Sequence, residues 1–265
     1  MLGLDLWQRV KGQMERPADC MAEAAAAAAR GDYDTAQGIW VTRAHADDAR
    51  AQAEIGRCFV NGWGVERNPE LAHQWLSLAA KAGNPLGQRL LGDFYFNGED
   101  GKPDRAIAEE WYARAATQGD PFAQDMLSWI LTESDHRQVD YAQAREWALK
   151  AADQGVAAAM TRLGLLYHNA LGVERDVAAA ARWWRKAALL NDADGQAMLG
   201  AAHHLGAGVE RDRVAALAWL TRARAARSPF ADRFYVAVRD SCSLEERQEA
   251  ERRASRPLGA QEVPP

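Results

Sequence analysis

The chain has 265 residues, 48% of them hydrophobic and 26% charged, and a formal net charge of −5. That balance describes a soluble globular body, gives no electrostatic reason to expect nucleic acid as a partner, and contains no run approaching the ~18 apolar residues of a membrane span. The three cysteines, Cys20, Cys58 and Cys242, are odd in number and lack any C-x-x-C pairing. Neither a disulfide ladder nor a zinc site is suggested, and a reducing, cytoplasmic setting is expected.

Residues 1–17 read as an N-terminal arm. Its opening, "MLGLDLWQRV", carries Leu2, Leu4, Leu6, Trp7 and Val10, too apolar for a plain disordered segment, but it lacks the basic start and unbroken apolar core of a signal peptide. Docking on the first hairpin as a cap is expected, with a partner or a membrane surface as the other reading. Residues 18–50 follow as a leading hairpin, with Gly31-Asp32 as its turn and Trp40 as its anchor.

From residue 51 the chain is periodic. Tryptophan stands at Trp75, Trp111, Trp147, Trp183 and Trp219, each 36 residues from the last. The same step relates Gly56, Gly92, Ser128, Gly164 and Gly200, and again Asn68, Asp104, Asp140, Asp176 and Asp212. The five units are 51–84, 85–120, 121–156, 157–192 and 193–227. A first helix (A) is expected to begin at each of the steps Asn84-Pro85, Asp120-Pro121 and Ser228-Pro229, where an acceptor side chain precedes a residue suited to the first helical turn. Helix A ends in a glycine loop, "NGWGV" (61–65), "NALGV" (169–173) or "LGAGV" (205–209), because glycine tolerates the left-handed backbone that stops a helix. The Asn/Asp set then caps a second helix (B), which carries the tryptophans and paired alanines and is closed by Gly83, Gly119 and Gly155. The small residue of the 56/92/128/164/200 set is read as the shallow place where the indole of helix B lies. Unit three reads "LTESDHRQVD", with Ser134 and His136 where glycines stand elsewhere, and unit two shifts its second glycine to Gly101.

An isolated helix pair leaves an apolar face that the next pair must cover, so the pattern predicts an all-α stack of antiparallel hairpins. Residues 228–254 read as closing helices, the last capped by Ser243 with Glu246 three residues on, and 255–265 as a disordered tail. The order A-Q, L-G-x-x-Y, G-x-G-V, an acidic cap, A-x-x-W and A-A-x-x-G resembles the Sel-one-like repeat family, a relative of the tetratricopeptide repeats. Unit four matches it best, with Leu163-Gly164, Tyr167, Gly172-Val173, Asp176, Ala180, Trp183 and Ala187-Ala188. The resemblance implies a right-handed α-α superhelix that acts as a non-enzymatic scaffold, adaptor or regulator, binding a protein or peptide through the concave surface lined by the A helices. A dedicated inhibitor or protective factor for one enzyme is an alternative on the same surface.

The candidate site follows from positions that do not repeat. Counting from the small residue, the stripe at three before, one after and four after lies on one face of helix A and is not used by the repeat pattern. It holds Ala53, Arg57 and Val60; Arg89, Asp93 and Phe96; Asp125, Trp129 and Thr132; Thr161, Leu165 and His168; Ala197, Ala201 and His204. Phe96, Trp129 and Leu165 beside Arg57, Arg89, Asp93 and Asp125 have the make-up of a binding groove, aromatic anchors with a charged border. The plainer reading makes Phe96 and Trp129 core residues.

His168, His203 and His204 raise a metal site, but equivalent histidines on neighbouring helices stand ~10 Å apart, too far to share one cation unaided, and no third ligand is evident. No G-x-S-x-G step, no nucleophile beside a histidine in a local motif and no phosphate-cradling loop is found. No cofactor is expected. An enzyme or small-molecule binder at the His168/His204 end is the rival reading. Trp63, in the first glycine loop, is either an exposed contact or packed on the leading hairpin, and "RARAAR" (222–227) is either a solvated basic face or a contact for an acidic partner.

Overall fold

A computed structural model of the protein describes residues 17–99, 101–133 and 138–258, with the side chains of 17–19 excepted. The apolar opening, Ser134 and His136 of the third loop, and tail residues 259–265 lie outside these. The described residues form fourteen helices and no strand. They fall into two compact units, Met1–Asp120 and Pro121–Pro265.

The first unit holds α1 (Pro17–Ala29), α2 (Tyr33–Ala44), α3 (Ala49–Asn61), α4 (Pro69–Lys81), α5 (Pro85–Asn97) and α6 (Arg105–Thr117). The second holds α7 (Pro121–Glu133), α8 (Tyr141–Asp153), α9 (Ala157–Asn169), α10 (Val177–Leu189), α11 (Ala193–Leu205), α12 (Arg213–Ala225), α13 (Ala231–Ser241) and α14 (Leu244–Ser255). In both, successive helices up to α13 pack on one another as hairpins, α14 packs back on α12, and the first helices of successive pairs also touch: α3 with α5 in one unit, α7 with α9, α9 with α11 and α11 with α13 in the other.

The caps carry out what the residue types promise. Asn68, Asp104, Asp140, Asp176 and Asp212 each accept a hydrogen bond from the backbone N–H three residues on, at 2.8–3.0 Å, satisfying one of the orphan donors of a helix start. Gly31 and Asp32 make the first turn, the latter capping α2, and Trp40 is 1% exposed. Ser243 and Glu246 form the reciprocal capping box of α14. Ser228 does not cap a helix at Pro229: α13 starts at Ala231, and the Ser228 hydroxyl instead donates to Asp194 at 2.6 Å.

The small position of helix A is filled by a different residue from the one the repeat pattern suggests. It is the residue after each tryptophan that lies on it: Leu76 on Gly56, Tyr112 on Gly92, Trp184 on Gly164 and Leu220 on Gly200, so close that a methyl group at the glycine meets the partner at under 3 Å. In the third repeat both positions are small, Ser128 standing where the others have glycine and Ala148 where they have a large side chain, both fully buried. The repeated tryptophans are half-buried instead. Trp75, Trp111, Trp183 and Trp219 each pack on an apolar cluster that includes the preceding helix pair, Trp111 on Ala72, Leu76 and Ala80 and Trp183 on Ala148, Ala151 and Ala152. The outer ring faces of four of the repeated tryptophans are covered by a cation three residues on: Arg114, Lys150, Lys186 and Arg222, at 4.0–5.7 Å. Such contacts add roughly 0.5–1 kcal/mol at exposed sites, and the indoles act as mortar between hairpins.

The glutamine of each A-Q step has its own task. Gln52, Gln88 and Gln196 are buried and donate to the carbonyls of Ala44, Ala80 and Ala188, at the end of the preceding second helix. These are carbonyls that a helix end leaves without an intrahelical partner. In the fourth repeat Met160 takes this place and the bond is lost.

Candidate functional site

In the first unit the stripe on helix A is closed by its own side chains. Arg89 donates to Asp93 at 3.1 Å and to Asp120, the residue ahead of Pro121, at 3.3 Å. Tyr112 donates its hydroxyl to the other Asp93 oxygen at 2.8 Å. Burial pushes the Asp93 carboxyl above the usual aspartate range, against the opposing Tyr112 hydrogen bond and Arg89 charge. Burial, with the neighbouring Asp93 charge, pushes the Tyr112 phenol up as well. Phe96 is half-buried, tilted against Tyr112 and covered on one face by Arg105. Arg57 pairs with Glu54 at 2.5 Å and lies over Trp63, while Val60 packs at the edge of the Leu76–Phe94 cluster. Trp63 belongs to the leading hairpin: its ring stacks on Tyr33, and its carbonyl accepts from Gln37.

In the second unit the same stripe is partly closed and partly open. Asp125 pairs with Arg162 at 3.2 Å, both largely buried. Thr161 donates to Asp192, the N-cap of α11, at 2.7 Å. The position three before the small residue, treated above as free, therefore braces the start of the next first helix in this repeat. Trp129 and Thr132 are half-buried, and the Thr132 hydroxyl turns back onto the Trp129 carbonyl.

Further along, the stripe opens into a cavity of about 280 Å³. Helix α9 contributes Leu165, His168 and Asn169, and α10 contributes Trp184. Met198, Ala201, Ala202 and Leu205 come from α11 with Ala207 just beyond it, and Phe230, Arg233 and Phe234 come from the closing segment. Trp184 is fixed by its indole N–H, which donates to the Thr161 carbonyl at 3.2 Å, and His168 lies tilted against its ring at 5.5 Å. The walls are apolar, and the polar groups are limited to His168, Asn169 and Arg233. Leu165, His168 and Ala201 were legible from the stripe. Trp184, Met198, Leu205, Phe230, Arg233 and Phe234 were not, although the i, i+4 spacing of Phe230 and Phe234 was a signal that one helix face presents two rings.

His204 is half-buried, does not line this cavity, and its Nδ1 is buried with no hydrogen-bond partner among the described residues. His203 faces a separate polar cavity of about 590 Å³ with Arg185, Arg211, Arg213 and Glu246, and burial holds its imidazole below the ordinary value. Among the described residues no three His, Cys, Asp or Glu side chains cluster as metal ligands do. The basic run 222–227 is used internally: Arg222 donates to the Arg253 and Arg256 carbonyls, and Arg224 pairs with Asp232.

With hairpins, caps and glycine loops in place, the sequence can be set beside known proteins. The Sel1 repeat matches five times, over residues 49–84, 85–120, 121–156, 157–192 and 193–227. The chain belongs to the Sel1 repeat family. Among solved structures, a Sel1 repeat protein from Oxalobacter formigenes is 28% identical, with a TM-score of 0.74 over 88% of this chain and 98% of that one. A Sel1 repeat protein from Klebsiella pneumoniae (20% identity, TM-score 0.51, 77% and 99% covered) and the immunity protein Pa5087 from Pseudomonas aeruginosa (18%, 0.53, 95% and 89%) share the fold. No curated protein sequence gives a significant match. Sel1 repeats are generally non-catalytic scaffolds for protein–protein interaction. Among the described residues of this Sel1 repeat protein, no helix is long and apolar enough to cross a membrane.

Proposed function

We propose that this Sel1 repeat protein is a non-enzymatic cytoplasmic adaptor or regulator that holds a partner protein or peptide on the concave surface of its first helices. The observation that carries the reading is the pocket beside α9 and α11. Structural positions recur every 36 residues, whereas Leu165, His168 and Ala201 sit on the face of helix A that the repeat does not prescribe, and together with Leu205 at the end of α11 they line an open apolar hollow. A binding surface needs such an anchor point, a desolvated apolar socket with a polar edge. Trp129, Thr132 and His204 on the same stripe extend it within residues 121–265 with Asp125 a candidate for its border, and Arg57, Val60, Arg89, Asp93 and Phe96 are candidates for contacts made by residues 1–120 on their own.

Use of this surface to restrain one enzyme is the narrower form of the same reading; one neighbour that shares the fold is an immunity protein. The pocket at the His168 end also favours a second reading, a small-molecule site. Affinity capture from native extract separates them. Wild type, Leu205→Glu and the Phe96→Ala/Trp129→Ala double variant are immobilised side by side, and retained proteins are identified by mass. A protein held by wild type and lost with Leu205→Glu supports the adaptor; loss only with the double variant moves the site to Phe96 and Trp129. Capture indifferent to all of these substitutions rejects the surface.

A further inference from the structure

We infer that the pocket of the second unit is a socket for one bulky apolar side chain of a partner peptide that carries a carboxylate next to it. The inference rests on the adaptor reading and specifies what that partner presents. Size favours one class of occupant. Pockets that enclose whole small-molecule ligands run from about 300 to 1,000 Å³, and this one, at about 280 Å³, lies just below that range and suits a single anchor side chain with its flanking backbone. The lining agrees, with two phenylalanines, a tryptophan, a methionine and two leucines as walls.

Charge fixes the neighbour of that side chain. No aspartate or glutamate lines the pocket, and its one permanent charge is Arg233. The Arg233 guanidinium lies over the Phe230 ring at 5.5 Å and has no carboxylate partner among the described residues. Arginines on the neighbouring segments are occupied: Arg224 by Asp232, Arg213 by Glu246, and Arg222 by two backbone carbonyls. A guanidinium seated on an aromatic face keeps its in-plane N–H groups for an incoming acceptor, and a carboxylate is the acceptor that matches their fork. His168 and Asn169, hydrogen-bonded to each other at 3.1 Å, supply further polar groups among the lining residues for peptide backbone.

The test uses the full chain and short fluorescein-labelled peptides that carry one leucine flanked by aspartate, by serine or by lysine. Binding is read by anisotropy at ~0.15 M salt, where only close charge pairs survive screening, and located by the 13C-methyl resonance of Met198. The aspartate-flanked peptide is expected to shift the Met198 methyl and to bind about tenfold tighter than the lysine-flanked one. Arg233→Glu should reverse the order, and leucine-to-alanine in the peptide should abolish binding. Equal affinity for all flanks, an order unchanged by Arg233→Glu, or no shift of Met198 overturns the inference. So does octanoate displacing the peptide at matching affinity, since the occupant is then a free carboxylic acid. If no peptide binds while capture from extract is still lost with Leu205→Glu, this inference fails and the adaptor reading stands.

Discussion

The same stripe of helix A has opposite fates in the two units. Around α5 it is sealed by Arg89, Asp93, Asp120 and Tyr112, a hydrogen-bonded set that consumes the charges a partner would need. Around α9 and α11 the equivalent positions are Leu165 and Ala201, with His168 a turn further along α9, and they open onto a hollow. Both stretches have the same helix lengths and the same period. A repeat pattern therefore fixes which positions hold the hairpins together and leaves the remainder to be spent on internal bracing or on recognition; the two are told apart by where the side chains find their partners.

The comparison can be broken most severely at the wall both regions share by design, the large side chain on the small position. Gly164→Val drives a branched side chain into Trp184, which is also a wall of the pocket. A loss of about 3 kcal/mol in urea unfolding is expected, at the upper end of overpacking costs. Tyr112→Phe in the first unit removes the hydroxyl that Asp93 accepts from, and about 2 kcal/mol should go with a buried hydrogen bond to a charged group. The pocket region should be untouched, as followed by the Met198 methyl signal. Ser128→Ala should raise stability by about 1 kcal/mol, because its buried hydroxyl has no partner among the described residues and its burial costs free energy.

Protonation sharpens the contrast with opposite signs. Asp93, its pKa raised in the folded state, contributes stability that is fully present below the unfolded aspartate value and is lost as pH rises through the raised one. His203, lowered by burial from the ordinary 6.5, contributes stability that is present above that value and is lost as pH falls through the folded one. Thermal melts of Asp93→Asn should lack the first decline, and those of His203→Gln the second. Wild-type slopes in both variants would show that neither group is held as its surroundings require. The smallest expected effect is that of Leu205→Glu on stability, within about 0.5 kcal/mol, as for other exposed substitutions.

The sequence was most informative where the physics is local. The Asx caps, the left-handed closures at Gly83, Gly119 and Gly155, and the Ser243–Glu246 box all depend on residues within a turn of one another. Repetition multiplied each signal. What needed coordinates was the direction of side chains across helices. Trp183 and Trp184 are adjacent, and only packing decides that the second meets Gly164 while the first spans to the previous hairpin. The pocket was half legible for a similar reason. Leu165 and His168 stand in the open stripe, but Phe230, Arg233 and Phe234 come from a closing helix outside the repeat register, and no period points to them. Arg89 and Asp93 looked like a charged border because their partners, Tyr112 and Asp120, lie 19 and 31 residues away.

The most direct test of a partner-binding pocket is quantitative capture with Leu205→Glu, which places a charge at the rim on a side chain that is 61% exposed. With wild-type helicity and melting retained, the partner held by the native protein should be lost by about tenfold or more, the cost of a buried unpaired charge at a contact. Retention of the same partner at wild-type level would contradict the account and place recognition elsewhere on the chain.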